Sequence, residues 1–97
     1  MSQSSLFRDV SISSLSGSSQ TAVAASPAGS PRTFLMIENV GSANIGVNLA
    51  GGTAAIGGTG TATIVPNGSI ILDRAVPRNA VTVVGTAGQP VMIIEAQ

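Results

Sequence analysis

Eight side chains of this 97-residue sequence carry a formal charge, and any chemistry has to start from them: Arg8, Arg32, Arg74 and Arg78 against Asp9, Glu38, Asp73 and Glu95. Glu38 and Glu95 each end an apolar run, Phe34-Leu35-Met36-Ile37 and Val91-Met92-Ile93-Ile94. If those runs paired with their ends together, the two carboxylates would lie close enough for acid–base work of the kind glycosidases do. The competing reading makes each a strand-end charge that faces solvent or matches Arg32, Arg74 or Arg78. Histidine is absent, which removes the side chain most easily tuned to move protons near neutral pH. A serine nucleophile would also have neither a His nor a Lys to take its proton. The sequence therefore reads as a non-enzyme.

Ligand chemistry is equally sparse. Zinc has no Cys or His to bind, and the dispersed carboxylates lack the spacing of a calcium loop. The run Gly51-Gly52-Thr53-Ala54-Ala55-Ile56-Gly57-Gly58-Thr59-Gly60 has the glycines of a phosphate cradle, but not the Lys or the following helix; it reads as a loop or strand bend. Phe7 and Phe34 are the only aromatic residues and neither sits in a basic cluster, so no nucleic-acid platform is expected. No cofactor is expected either.

Two sets of residues remain as candidate interface groups. Arg74 and Arg78 bracket Val76-Pro77, where their planar forks suit carboxylates on a partner; a solvated turn is the alternative. Leu6 and Phe7, with Val10 and Ile12 behind them, place apolar side chains along an otherwise polar beginning, where a Phe can anchor a contact.

The elements that position these groups read as β throughout. Residues 1–31 contain 11 Ser and few large apolar side chains, and are expected to be an extended arm and linker, stiffened by Ser26-Pro27 and Ser30-Pro31. Within it Val10-Ser11-Ile12-Ser13 alternates, as a short strand would if another sheet edge received it. The body is expected over residues 32–97. Its opening strand, 33–40, is apolar on both faces, with Leu35 and Ile37 on one and Phe34 and Met36 on the other. Such a strand is expected to be covered on both sides, by its own sheet stack and by another subunit. Residues 45–49 alternate and are expected to form a hairpin with it through Gly41-Ser42-Ala43-Asn44. A brief strand is expected at 53–56. Residues 61–65 and 69–72 flank Pro66-Asn67-Gly68 and are expected to pair, and strands follow at 80–84 and 91–95, the last pairing centrally with the first. No amphipathic-helix spacing appears. The fold class is all-β: a small antiparallel sandwich or barrel of jelly-roll or immunoglobulin-like type, with an extended N-terminal arm.

Composition adds a hint of assembly. Only 8% of residues are charged, against roughly 25% in an average soluble domain, and the net charge is zero, so no long-range field steers the chain to a polyanion. A small body without disulfides gains stability most readily by oligomerising. No apolar run is long enough to span a bilayer, and the first residues lack a secretory pattern. The chain is expected to stay in the cytoplasm until it joins a larger structure.

Taken together, Arg32-Thr33-Phe34-Leu35-Met36-Ile37-Glu38-Asn39, Ile45-Gly46-Val47-Asn48, Pro66-Asn67-Gly68-Ser69, Val76-Pro77-Arg78-Asn79-Ala80-Val81 and Gly88-Gln89-Pro90-Val91 resemble small virion structural proteins of tailed bacteriophages that decorate or cement the head. The resemblance spans residues 32–97. It implies a β-rich knob that binds the assembled coat lattice as a homotrimer, its partners being itself and the major capsid protein or another virion protein. The expected location is then the virion, assembled in the host cytoplasm. Similar proteins also serve as tail, fibre or neck (connector) components, and a receptor- or glycan-binding module is the rival expectation. Removing residues 1–31 is expected to leave the body folded while weakening assembly.

Overall fold

β-Branched and aliphatic residues alternate with small or polar ones in short runs, and each run becomes a strand, as their preference for a pleated, half-buried surface dictates. The computed structural model describes residues 7–97. The strands are β1 (Phe7–Asp9), β2 (Gln20–Val23), β3 (Phe34–Glu38), β4 (Ile45–Asn48), β5 (Thr61–Ile64), β6 (Ser69–Leu72), β7 (Val81–Val84) and β8 (Met92–Ala96). They pair antiparallel into two four-stranded sheets, in the orders β1-β8-β3-β6 and β2-β7-β4-β5. Leu35, Ile37, Val91 and Ile93 face Ile45, Val47, Val81 and Val83 from the opposite sheet, each at most 1% exposed. The fold is a sandwich, not a barrel.

A single rule generates the pairing. β1 lies against β8, β2 against β7, β3 against β6 and β4 against β5. The first half of the chain thus runs antiparallel beside the second half, and this long double strand is rolled up so that successive strands alternate between sheets, except at β4 and β5, where the chain turns back. Eight strands wound in this way are a jelly roll, which decides between the two sandwich types expected.

The rule also corrects the expected hairpins. β3 and β4 lie in different sheets, as do β5 and β6. The intervening turns form, with Asn67 at φ 68° as an Asn-Gly turn allows, but they carry the chain across the sandwich. Only β4 and β5 are consecutive strands that pair, and the Gly-rich residues 49–60 are their connection, with no strand at 53–56. The central pairing of β3 with β8 is as expected, from Phe34 opposite Ala96 to Glu38 opposite Met92.

A second correction concerns the expected arm. β1 and β2 are edge strands of the two sheets, Ile12 bridges to Val91, and Leu15, Ala22 and Val23 belong to the core. These few apolar side chains are insufficient to close a core of their own, but here they join a single core with residues 35–93. Residues 24–33 form the strand-free link, tied down by the Ser26 N–H donating to the Arg78 carbonyl at 2.8 Å. Finally, β3 is buried on one face only. Leu35 and Ile37 are sealed inside, while Phe34, Met36 and Glu38 are half-buried on the outer face.

Candidate interaction surface

Paired residues of an antiparallel sheet share a face, so the register of the first sheet lays out its outer surface in rows. One row runs Phe7, Ala96, Phe34 and the next runs Asp9, Ile94, Met36, Ile71; a third carries Met92, Glu38 and Ser69. In the first row the small Ala96 lies between two phenylalanines. Their rings meet over it edge to face, with centroids 5.2 Å apart, and Ala96 is covered to 1% exposure. Edge-to-face contact matches the positive rim of one ring to the negative face of the other, worth about 0.5–1.5 kcal/mol beyond burial. The outer surface stays open all the same: Phe7 is 62% and Ile71 57% exposed.

The expected interface residues divide accordingly. Phe7, Phe34 and Met36 come together on this surface. Leu6 lies outside the described residues. Val10 and Ile12 pack against the core, and their N–H groups donate to the carbonyls of Ile93 and Val91, both at 2.9 Å. Arg74 and Arg78 share a groove with Pro31, Arg32, Thr33 and Asp73 at the end of the sandwich where β3 begins. Neither makes an ion pair among the described residues. Between them Ala75 is held at φ 49°, a left-handed conformation rare for a residue with a side chain.

Ile71 and Ile94 complete the surface and were not among the expected residues. Their signal was present: 69–72 and 91–95 carry consecutive apolar residues, the same two-faced pattern that singled out 33–40.

The carboxylates do not form a pair. Glu38 sits in the outer row with Met92, whereas Glu95 lies opposite Leu35 on the inner side, 5% exposed. Glu95 accepts from Arg32 Nε at 2.9 Å and is also approached by Arg8. Arg32, 3% exposed, also donates from Nη1 to the carbonyls of Pro77 and Asn79 and from Nη2 to that of Ala24. The guanidinium thus clamps the 24–33 link, the loop before β7 and the end of β8 together. A buried charge is tolerated only when paired and hydrogen-bonded in this way.

At the opposite end of β3, Asn39 plays the neutral counterpart. It is fully buried and uses both ends of its amide: Nδ2 donates to Ala43 and Ile64 carbonyls at 2.8 and 2.9 Å, and Oδ1 accepts from Gly41 N and Gln89 Nε2 at 3.0 and 3.1 Å. Gln89 Oε1 in turn accepts from Ala43 N at 3.2 Å. The shallow groove above, lined by residues 40–43 and 86–90, therefore has no buried unsatisfied side-chain group beneath it among the described residues.

On the outer surface Asp9 is fully exposed, and the Ser11 hydroxyl and backbone N–H beside it hold its carboxyl below the usual range. No group of three potential metal ligands gathers among the described residues, and they include no helix long and apolar enough to cross a membrane. What the arrangement offers is a rolled scaffold with one apolar outer sheet face, rimmed by Asp9 and Glu38. Compared with protein-family models, curated proteins and solved structures, the chain matches none of them.

Proposed function

We propose that this chain is a virion structural protein, a decoration or cement protein that binds the assembled head lattice of a tailed bacteriophage in many copies. The observation that carries the reading is the outer face of the β1-β8-β3-β6 sheet, where Phe7, Phe34, Met36, Ile94 and Ile71 form a contiguous apolar patch. Contiguous exposed patches of this kind mark protein contacts. The jelly roll is a scaffold used by viral capsid domains, and also by lectins and cupins, so it supports the reading without deciding it. The sequence resemblance of residues 32–97 is what favours the virion among these.

The mechanism is linkage. A protein that binds only the closed shell stabilises it by mass action, and weak contacts repeated over a lattice add up. The low charge content suits a surface that is covered in use. Counting copies in purified particles by quantitative mass spectrometry tests the reading. Copies spread over the head are expected, with Met36→Glu weakening their retention. A single ring of copies at one vertex, or copies confined to a tail fibre, would overturn it.

A further inference from the structure

Natural sheets protect their outer strands, because an unpaired row of N–H and C=O groups is a template for another strand. Three of the four edges here are protected. β1 is only three residues long and carries Arg8 and Asp9. β2 has a register shift between Thr21 and Val23 that bends it away. β5 is backed by its own loop, the Ala55 N–H donating to Thr61 Oγ1 at 3.2 Å and the Thr61 N–H to the Gly58 carbonyl at 3.3 Å. β6 has none of these devices. Its sequence Ser69-Ile70-Ile71-Leu72 contains no charge, Pro or bulge, and no other backbone bond among the described residues reaches it from its far side.

The phase of the β3–β6 ladder says which groups are free. The Asn39 N–H donates to the Gly68 carbonyl at 3.0 Å, and bonded pairs in an antiparallel ladder recur at every second residue. The Gly68 carbonyl and both backbone groups of residues 70 and 72 therefore turn toward β3, while the Gly68 N–H donates to the Val65 carbonyl at 2.8 Å and the Asn39 carbonyl accepts from the Asn67 N–H. Ser69 and Ile71 turn theirs to the open edge, and Ile71 is also the most exposed apolar side chain of the strand.

We propose that β6 is a pairing edge for the β6 of a second copy of this chain, antiparallel and centred on Ile71. The second copy is the occupant because the strand is its own complement. With Ile71 opposite its twin, each twin offers a free N–H and a free C=O to the other, Ile70 falls opposite Leu72, and Ser69 falls opposite Asp73. Centring on a residue keeps both outer faces on the same side. The row Ile94, Met36, Ile71 then continues without a break into the same row of the second copy, and two four-stranded sheets become one of eight. Pairing of a strand with itself is two-fold, so this contact makes dimers, and the trimer implied by the sequence resemblance would have to use another surface. The inference rests on the assembly reading only for the premise that the chain acts in several copies.

The absence of cysteine makes the test direct. In the proposed register the two Ile71 Cα atoms are about 5.5 Å apart, within the range a disulfide spans. Full-length Ile71→Cys should cross-link to a two-chain species under mild oxidation, while Thr63→Cys on the β5 edge should not. Ile71→Lys should reduce the mass in solution from two chains to one with an unchanged circular dichroism spectrum. Wild-type chain that sediments as a monomer, or an Ile71→Lys variant that stays dimeric, overturns the pairing. Binding to particle heads is measured on the same samples. Cross-linking without head binding would sink the virion reading alone, and head binding without cross-linking would sink the edge pairing alone.

Discussion

Asn39 shows how much of this fold rests on single polar side chains. Its amide has two donors and two acceptor sites, all engaged, and they tie the end of β3 to the 41–43 turn, the end of β5 and Gln89. We predict that Asn39→Asp, which keeps the shape but turns the donors into acceptors, destabilises the fold by at least about 1–3 kcal/mol, since the buried Ile64 carbonyl loses its donor while the Ala43 carbonyl keeps Gln89 Nε2. A small shift in the denaturation midpoint would refute this. Arg32 makes the ionic version of the same argument. Arg32→Met leaves Glu95 buried with only the largely exposed Arg8 beside it, and removing one partner of a buried pair costs about 3–5 kcal/mol. The double change Arg32→Met with Glu95→Met should recover most of that loss in the same melt, because replacing a whole buried pair by apolar groups is near neutral. Asp9 gives the pH dependence. Its carboxyl titrates below its ordinary value because of Ser11, so its contribution is present above the unfolded-state value and is lost as pH falls through the lowered one. Asp9→Asn should therefore lower the unfolding midpoint at neutral pH and leave it unchanged in strong acid.

At the scale of elements, what the sequence could say and what it could not divide along a physical line. Strand existence is local, written in alternation and β-branching, and residues 34–38, 45–48, 61–64, 69–72, 81–84 and 92–96 were legible for that reason. Strand partnership is not local. Gly41-Ser42-Ala43-Asn44 and Pro66-Asn67-Gly68 have the same turn chemistry whether the chain returns beside itself or crosses to the facing sheet, so both hairpins were misassigned. Phe7–Asp9 and Gln20–Val23 were hidden for a related reason. Edge strands with one supporting neighbour need little hydrophobicity of their own, and a Ser-rich stretch is enough. This reverses the expected outcome of truncation. Deleting residues 1–31 removes β1, β2, Leu15, Ala22 and Val23. Burial of Leu15 and Val23 alone is worth about 3–6 kcal/mol at roughly 1.5–3 kcal/mol per side chain, a large share of the about 5–15 kcal/mol a domain possesses. The truncated chain should show no cooperative thermal transition; a sharp one near the full-length midpoint would contradict the core assignment.

For the whole molecule, the rolled topology explains why an apolar outer face is left over. Winding the chain into two sheets gives each sheet one inner face, and the core is closed once Leu35, Ile37, Val91 and Ile93 meet the opposite sheet. Nothing in that closure requires Phe34, Met36, Ile71 or Ile94 to be apolar. An outer face free of functional demand would alternate polar with apolar, as antiparallel sheets with one solvated side do. The departure from alternation is thus a property of what the molecule touches, which is why the surface was half legible: the two-faced pattern could be read, but the rows that join Ile71 to Met36 and Ile94 needed the register. Polar substitutions on that face should accordingly separate folding from association. Met36→Glu places a charge beside Ile71 and Ile94 without entering the core, and should change the denaturation midpoint little, within about 0.5 kcal/mol as for surface sites generally. The same variant should weaken retention on particles by tenfold or more, since a charge desolvated at a contact without a partner is strongly penalised. If Met36→Glu unfolds the protein, the face is part of the core after all, and if it binds as well as wild type, the contact lies elsewhere on the roll.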